Sequence, residues 1–206
     1  LLRSWGGYEA ASDGNDGTVQ VYEAVTSLEA VKVMELVGKA DPENKSLASL
    51  LQQSKLYWRQ KNLDDDDMEA FALLLAREDV QNTLCMKLKS IDLRDNEIGD
   101  RGVRTLSKAF AVTPLPALEM LSLGNKMRSV KALSEACAEG ALPALRELQL
   151  NGCSSLTSVT IPSSVTTIGE WAFARCSSLT SVDIPATVQV AASAFDMDVN
   201  VRRTHI

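Results

Sequence analysis

Residues Leu88–Phe110 read L-K-S-I-D-L-R-D-N-E-I-G-D-R-G-V-R-T-L-S-K-A-F. Leu88, Ile91 and Leu93 mark the buried face of a short strand, where successive side chains alternate between faces. Asn96 follows three residues later, a residue type that favours turns. Val103, Leu106 and Phe110 then recur at the three-to-four-residue spacing of an amphipathic helix. The stretch is therefore a strand, an asparagine turn and a helix. A unit of that size cannot bury its apolar face alone, so neighbouring copies are expected.

Copies lie on both sides. Moving the unit back by 35 residues sets Leu56 under Ile91, Trp58 under Leu93 and Leu63 under Ile98. The same shift sets Met68 under Val103, Phe71 under Leu106 and Leu75 under Phe110, with Lys61 in the asparagine place. A third unit opens at Leu118 with Leu121, Leu123 and the helical face Val130, Leu133 and Cys137, and a fourth strand follows with Leu145, Leu148 and Leu150. From Cys153 the motif changes to Leu156-x-x-Val159-x-Ile161-Pro162-x-x-Val165-x-x-Ile168-Gly169-x-x-Ala172-Phe173-x-x-Cys176. It restarts at Leu179 with Val182, Ile184-Pro185 and Val188, and reaches Ala194-Phe195 one residue short.

The first set of units resembles leucine-rich repeats of the ribonuclease-inhibitor type, and the second resembles BspA-like leucine-rich repeats. The resemblance covers roughly residues 53–201. It implies an α/β solenoid with a curved parallel sheet, convex helices in the N-terminal half and thinner coils in the C-terminal half. The implied organisation is a tail and helical cap over 1–52, ribonuclease-inhibitor-like repeats over 53–152, BspA-like repeats over 153–201 and a tail over 202–206. Ser27 is the expected N-cap and Gly38 the stop of the first cap helix; a second short helix carries Leu47, Leu50 and Leu51. Val199 and Val201 are expected to start a last strand.

One junction does not fit simple stacking. Leu145 and Leu156 are 11 residues apart, and adjacent parallel strands need a crossover of about a dozen residues or more. Either the solenoid kinks there, or Leu145–Leu150 serves both repeat types, as the far wall of the first BspA-like coil.

Composition limits the function classes. The chain has 206 residues, 45% hydrophobic and 23% charged, the balance of a globular protein. A net charge of −6 argues against nonspecific nucleic-acid binding, which needs a basic footprint. No apolar run reaches the roughly 18 residues of a membrane span, so a soluble chain without direct membrane insertion is expected. The first residue is Leu1, not Met; an upstream segment is expected, and Leu1–Trp5 is too short for a signal or transit peptide. Residues up to about 20 are rich in Gly, Ser, Asp and Asn, a turn and coil composition.

No chemistry is legible. Cys85, Cys137, Cys153 and Cys176 form no C-x-x-C pair and have no metal-ligand spacing with the single histidine, His205, in a terminal tail. Reduced, buried thiols favour a reducing setting, either cytoplasm or an organelle interior such as a plastid. The resemblance makes Cys153 and Cys176 ladder residues of adjacent coils. Asp64–Asp67 lacks the pattern and glycine of a calcium loop, and fits helix capping instead. Phosphate-loop, dinucleotide and zinc-protease motifs are missing, and a histidine-based triad has no candidates. The reading is no enzyme, no cofactor and no metal site.

In such repeats the leucines face the core and the intervening residues face out onto the concave wall. That sets out Lys55, Tyr57 and Arg59; Ser90, Asp92 and Arg94; Met120, Ser122 and Gly124; Glu147, Gln149 and Asn151; Ser158 and Thr160; Ser181 and Asp183. The partner-binding set drawn from them is Tyr57, Arg59, Asp92, Arg94, Ser122, Glu147, Gln149, Thr160 and Asp183, anchored by Tyr57, Arg59 and Arg94, the residue types that dominate interfaces. Trp58 and Trp171 are assigned to the core. The expected function is a non-enzymatic module that binds a protein partner on the concave face. The alternative is a permanent accessory or structural subunit of a larger protein assembly, organellar ones included. A cell-surface adhesin is the weaker one, since no disulfide framework is present.

Overall fold

The computed structural model describes residues 28–43, 46–196 and 198–204. Expectations at Leu1–Ser27 and at His205 lie outside the described residues.

Six strands form one parallel sheet: β1 (Lys55–Tyr57), β2 (Ser90–Asp92), β3 (Met120–Ser122), β4 (Glu147–Gln149), β6 (Thr167–Ile168) and β8 (Gln189–Val190), in that order. A second parallel sheet has the order β5 (Ser158–Thr160), β7 (Ser181–Pro185), β9 (Asn200–Thr204). The helices are α1 (Leu28–Ala40), α2 (Leu47–Leu51), α3 (Asp65–Leu75), α4 (Glu78–Val80), α5 (Asp100–Val112) and α6 (Lys131–Ala138). Helix α1 packs on α3, α3 on α5, α5 on α6, and α6 against β5. The layer behind the long sheet therefore starts as helices and continues as strands. This is a leucine-rich-repeat solenoid, with its helices in the N-terminal half.

Repeat spacing follows from what each unit carries. Lys55 pairs with Ser90, Ser90 with Met120 and Met120 with Glu147, reproducing the shifts read from the sequence. The first period is the longest because α4 and a π-helical stretch, Gln81–Cys85, follow α3. These additions bury Val80, Leu84 and Cys85 in the core. Between the two layers runs one continuous apolar core, from Val33 and Leu36 at one end to Val188 and Ala194 at the other. Trp58 packs edge-on to Phe71 at 4.8 Å, and Phe173 stacks on Phe195 at 5.0 Å.

The junction is settled in favour of one strand serving both repeat types. β4 pairs with β3 on one side and with β6 on the other, Glu147 opposite Thr167. Leu156, Val159 and Ile161 instead open the second sheet through β5. The two L-x-x-L-x-L-like stretches are thus the front and back walls of a single coil, and 11 residues suffice to turn between them.

Two details differ from expectation. Helix α1 continues past Gly38 to Ala40; a glycine costs about 1 kcal/mol within a helix, and Val37 and Ala40 are buried and offset that cost. The acidic run caps as anticipated but reaches further. Asp64 and Asp67 form a reciprocal capping box on α3. Asp65 crosses to the next repeat, its Oδ1 accepting from Gly99 N (2.7 Å) and Gly102 N (2.9 Å) at the start of α5. Asp100 repeats the device on Arg128 N at 2.7 Å. Lys39 of α1 donates to both oxygens of Asp67, at 3.0 and 2.8 Å, and that hydrogen bond raises the lysine above its ordinary value.

Candidate interaction face

A strand three residues long puts its central side chain into the core and its outer two on the opposite face. Leu56, Ile91, Leu121 and Leu148 point inward and are fully buried. The open face of the long sheet therefore carries the flanking residues in rows. Lys55, Ser90, Met120, Glu147, Thr167 and Gln189 stand side by side, and next to them Tyr57, Asp92, Ser122 and Gln149.

Much of this face is already hydrogen-bonded to itself. Arg94 donates through Nε and Nη2 to the two oxygens of Asp92, at 2.9 and 2.6 Å. Its Nη1 reaches across β3 to Gln149 Oε1 on β4, at 3.2 Å. Gln149 in turn donates to Glu147 Oε1 at 2.7 Å. The strap passes because the residues beneath it are small: Ser122 is buried, and a side chain at Gly124 would collide with the Asn151 carbonyl and approach Arg94 Cγ. Burial by itself raises the Asp92 carboxyl, but the hydrogen bonds and charge of Arg94 outweigh it and hold the group below its ordinary value.

The nine residues picked from sequence divide accordingly. Tyr57, Arg59, Asp92, Arg94, Ser122, Glu147 and Gln149 come together on or beside the open face of the long sheet. Thr160 and Asp183 do not. They belong to β5 and β7, in the second sheet behind the core, where Asp183 holds Arg202 at 2.6 Å. Their places in the long sheet are taken by β6 and β8, because the BspA-like coil presents its second strand to this wall. Among the set, Tyr57 is the freely exposed aromatic, at 65%, while Arg94 spends its donors on the strap.

Trp171 departs from its core assignment. It is 57% exposed and has φ +59°. The buried places of that turn belong to Ala172 and Phe173, so the preceding residue turns outward. Together with Arg59, Asp95, Asn151, Arg175 and Asp196 it lines a cleft of about 460 Å³ along the edge where the strands of the long sheet end. Arg59 is tied to Asp95 at 2.7 Å, and Asp196 accepts from the Arg175 backbone N–H at 2.7 Å. The only available sequence signal was the phase of E-W-A-F, where Ala-Phe and not Trp-Ala repeats in the following coil.

Among the described residues no three His, Cys, Asp or Glu side chains gather as metal ligands, and no helix is long and apolar enough to cross a membrane. The four cysteines are free and buried. Desolvation pushes Cys85 and Cys137 up to about 11.

A family model described as "BspA type Leucine rich repeat region (6 copies)" matches residues 144–203, and one described as "Leucine Rich repeat" matches 84–107. No curated protein matches the chain. The first match begins just before β4, the strand shared by both repeat types; the second spans β2 and most of α5. Leucine-rich repeats generally mediate protein–protein interaction, and their solenoids are typically non-enzymatic scaffolds. By its stacked parallel strands and both matches, the chain is a leucine-rich-repeat protein with BspA-type repeats in its C-terminal part.

Proposed function

We propose that the chain is a non-enzymatic recognition module that docks a protein partner on the open, concave face of its six-stranded sheet. The observation that carries this reading is the pairing of a pre-organised floor with exposed aromatics beside it. The Asp92–Arg94–Gln149–Glu147 strap is ordered without a partner, so docking onto it costs little side-chain entropy. Tyr57 and Trp171 offer rigid, exposed apolar surface beside it, the kind of side chain that dominates binding energy.

Photo-crosslinking in native extract tests it, with a benzoylphenylalanine placed at Lys55, Thr167 or Gln189 on the open face, or at Arg104 on α5. The expected result is one shared partner captured from the three face positions and lost with Tyr57→Ala. Capture from Arg104 alone would overturn the concave reading.

The permanent-subunit alternative has its own observation. Between α3 and α5 the outer side carries a groove lined by Ala72, Leu73, Ala76, Ala109 and Val112, the last 81% exposed. Crosslinks concentrated there would favour that alternative.

A further inference from the structure

The cleft along the edge of the wall points to a particular kind of partner. Trp171 and Arg175 both have φ +59°, a left-handed conformation uncommon for side chains of this bulk. The repeat does not require a tryptophan there. Ser193 takes the corresponding place in the next coil, where its carbonyl accepts from the Trp171 backbone N–H at 2.9 Å. Ser193 does not share the left-handed backbone, so the strained turn and its exposed indole are particular to this coil, a candidate for function rather than packing.

The charges decide what the cleft takes. Arg59 is neutralised by Asp95 in direct contact. Asp196 has one oxygen occupied by the Arg175 backbone N–H. The Arg175 guanidinium makes no hydrogen bond or ion pair among the described residues, which leaves one unengaged donor fork beside an exposed indole. A planar fork matches a carboxylate with two parallel hydrogen bonds. Phosphate, with its higher negative charge, is disfavoured more than a single carboxylate by the two aspartates in the cleft, and nucleic acid further by the net charge of −6.

We infer that this cleft binds an acidic peptide segment within a partner protein, an Asp or Glu side chain on Arg175 and an apolar neighbour against Trp171. The inference rests on the concave-face reading and specifies its chemistry.

Selection from a phage-displayed random dodecapeptide library, fused so that no peptide has a free C-terminus, tests it on the full chain. Selected peptides are then synthesised with blocked ends and titrated by fluorescence anisotropy. The expected peptides carry an acidic residue at a fixed position, and its replacement by the amide weakens binding about tenfold or more. Trp171→Ser, which installs the residue of the next coil, and Arg175→Gln each cost about tenfold or more. Circular dichroism confirms that both variants fold. Selected peptides that need no carboxylate or that ignore Arg175→Gln would overturn the acidic cleft, as would a selection yielding no binder. If such peptides are still lost with Tyr57→Ala, the concave-face reading stands while the cleft falls. Insensitivity to all three substitutions brings down both.

Discussion

The two halves of the solenoid solve one problem with different atoms. At each turn after a strand of the long sheet, a side chain must reach back to the carbonyl of the preceding repeat. Asn96 donates to Trp58 O at 2.8 Å and Asn125 to Leu93 O at 2.8 Å. Cys153 and Cys176 stand at the next two rungs, their thiols toward Leu123 O at 3.7 Å and Leu150 O at 3.1 Å. Asn96 does more than donate: its Oδ1 accepts from Lys61 N and Leu63 N, at 2.9 and 3.0 Å, and its Nδ2 also reaches Leu93 O. A thiol offers one weak donor. The asparagine half thus fixes its turns with amides, whereas the cysteine half relies on small buried side chains and closely spaced coils. Adjacent repeats stabilise one another in a solenoid, so unequal rungs imply unequal local stability.

The largest expected effect follows directly. Asn96→Ala would leave two backbone N–H groups, of Lys61 and Leu63, and the Trp58 carbonyl without their partner in a buried turn, while Leu93 O keeps Asn125. At roughly 1–3 kcal/mol for each group that stays unsatisfied, with some relief from entering water, a loss of about 3–5 kcal/mol is expected. The midpoint of urea unfolding measures it. Next comes the seam between the halves. Gly124→Ala drives a methyl into the Asn151 carbonyl and the Arg94 stem, and overpacking of this kind costs about 1–3 kcal/mol. Cys176→Ala removes one weak donor, shared between Leu150 O and Ala174 O, and a sulfur atom, for about 1 kcal/mol. A Cys176→Ala loss as large as that of Asn96→Ala would break the proposed contrast between amide and thiol rungs.

The rungs were partly visible in the sequence. Asn96 could be placed because strand and helix periodicities flank it, and the Cys153–Cys176 spacing equals one coil. The front wall of the C-terminal half was not visible. Thr160 and Asp183 follow an L-x-x-V-x-I pattern that imitates the leucine strands, yet alternation alone does not say which of a coil's two walls a strand occupies. Only the crossover length forbids Leu145 and Leu156 from being neighbours, and that constraint left two solutions. Trp171 was misplaced for a related reason. Leu156 and Leu179 stand 23 residues apart, but Glu147 pairs with Thr167 at a shift of 20, and the extra residues turn the indole outward. The strap was equally hidden, since Arg94 and Gln149 come together only through the order of β2, β3 and β4.

The smallest effect tests whether the strap belongs to the asparagine half alone. Asp92 lies lower when folded than its unfolded value of about 3.9. The unfolded chain therefore binds the proton more readily. The contribution of Asp92 is complete above about pH 4 and is lost as pH falls through the lower, folded value. Asp92→Asn should accordingly lower the urea midpoint at pH 6, with the gap from the parent chain closing as pH drops below about 4. Hydrogen exchange gives the location. In acid, protection should fall first around β2–β4, which Arg94 ties together, while β6 and β8 stay as they were because no strap residue lies on them. A gap that persists at low pH would mean that Asp92 acts through packing rather than charge, and that the polar floor is not what distinguishes the first half of the wall from the second.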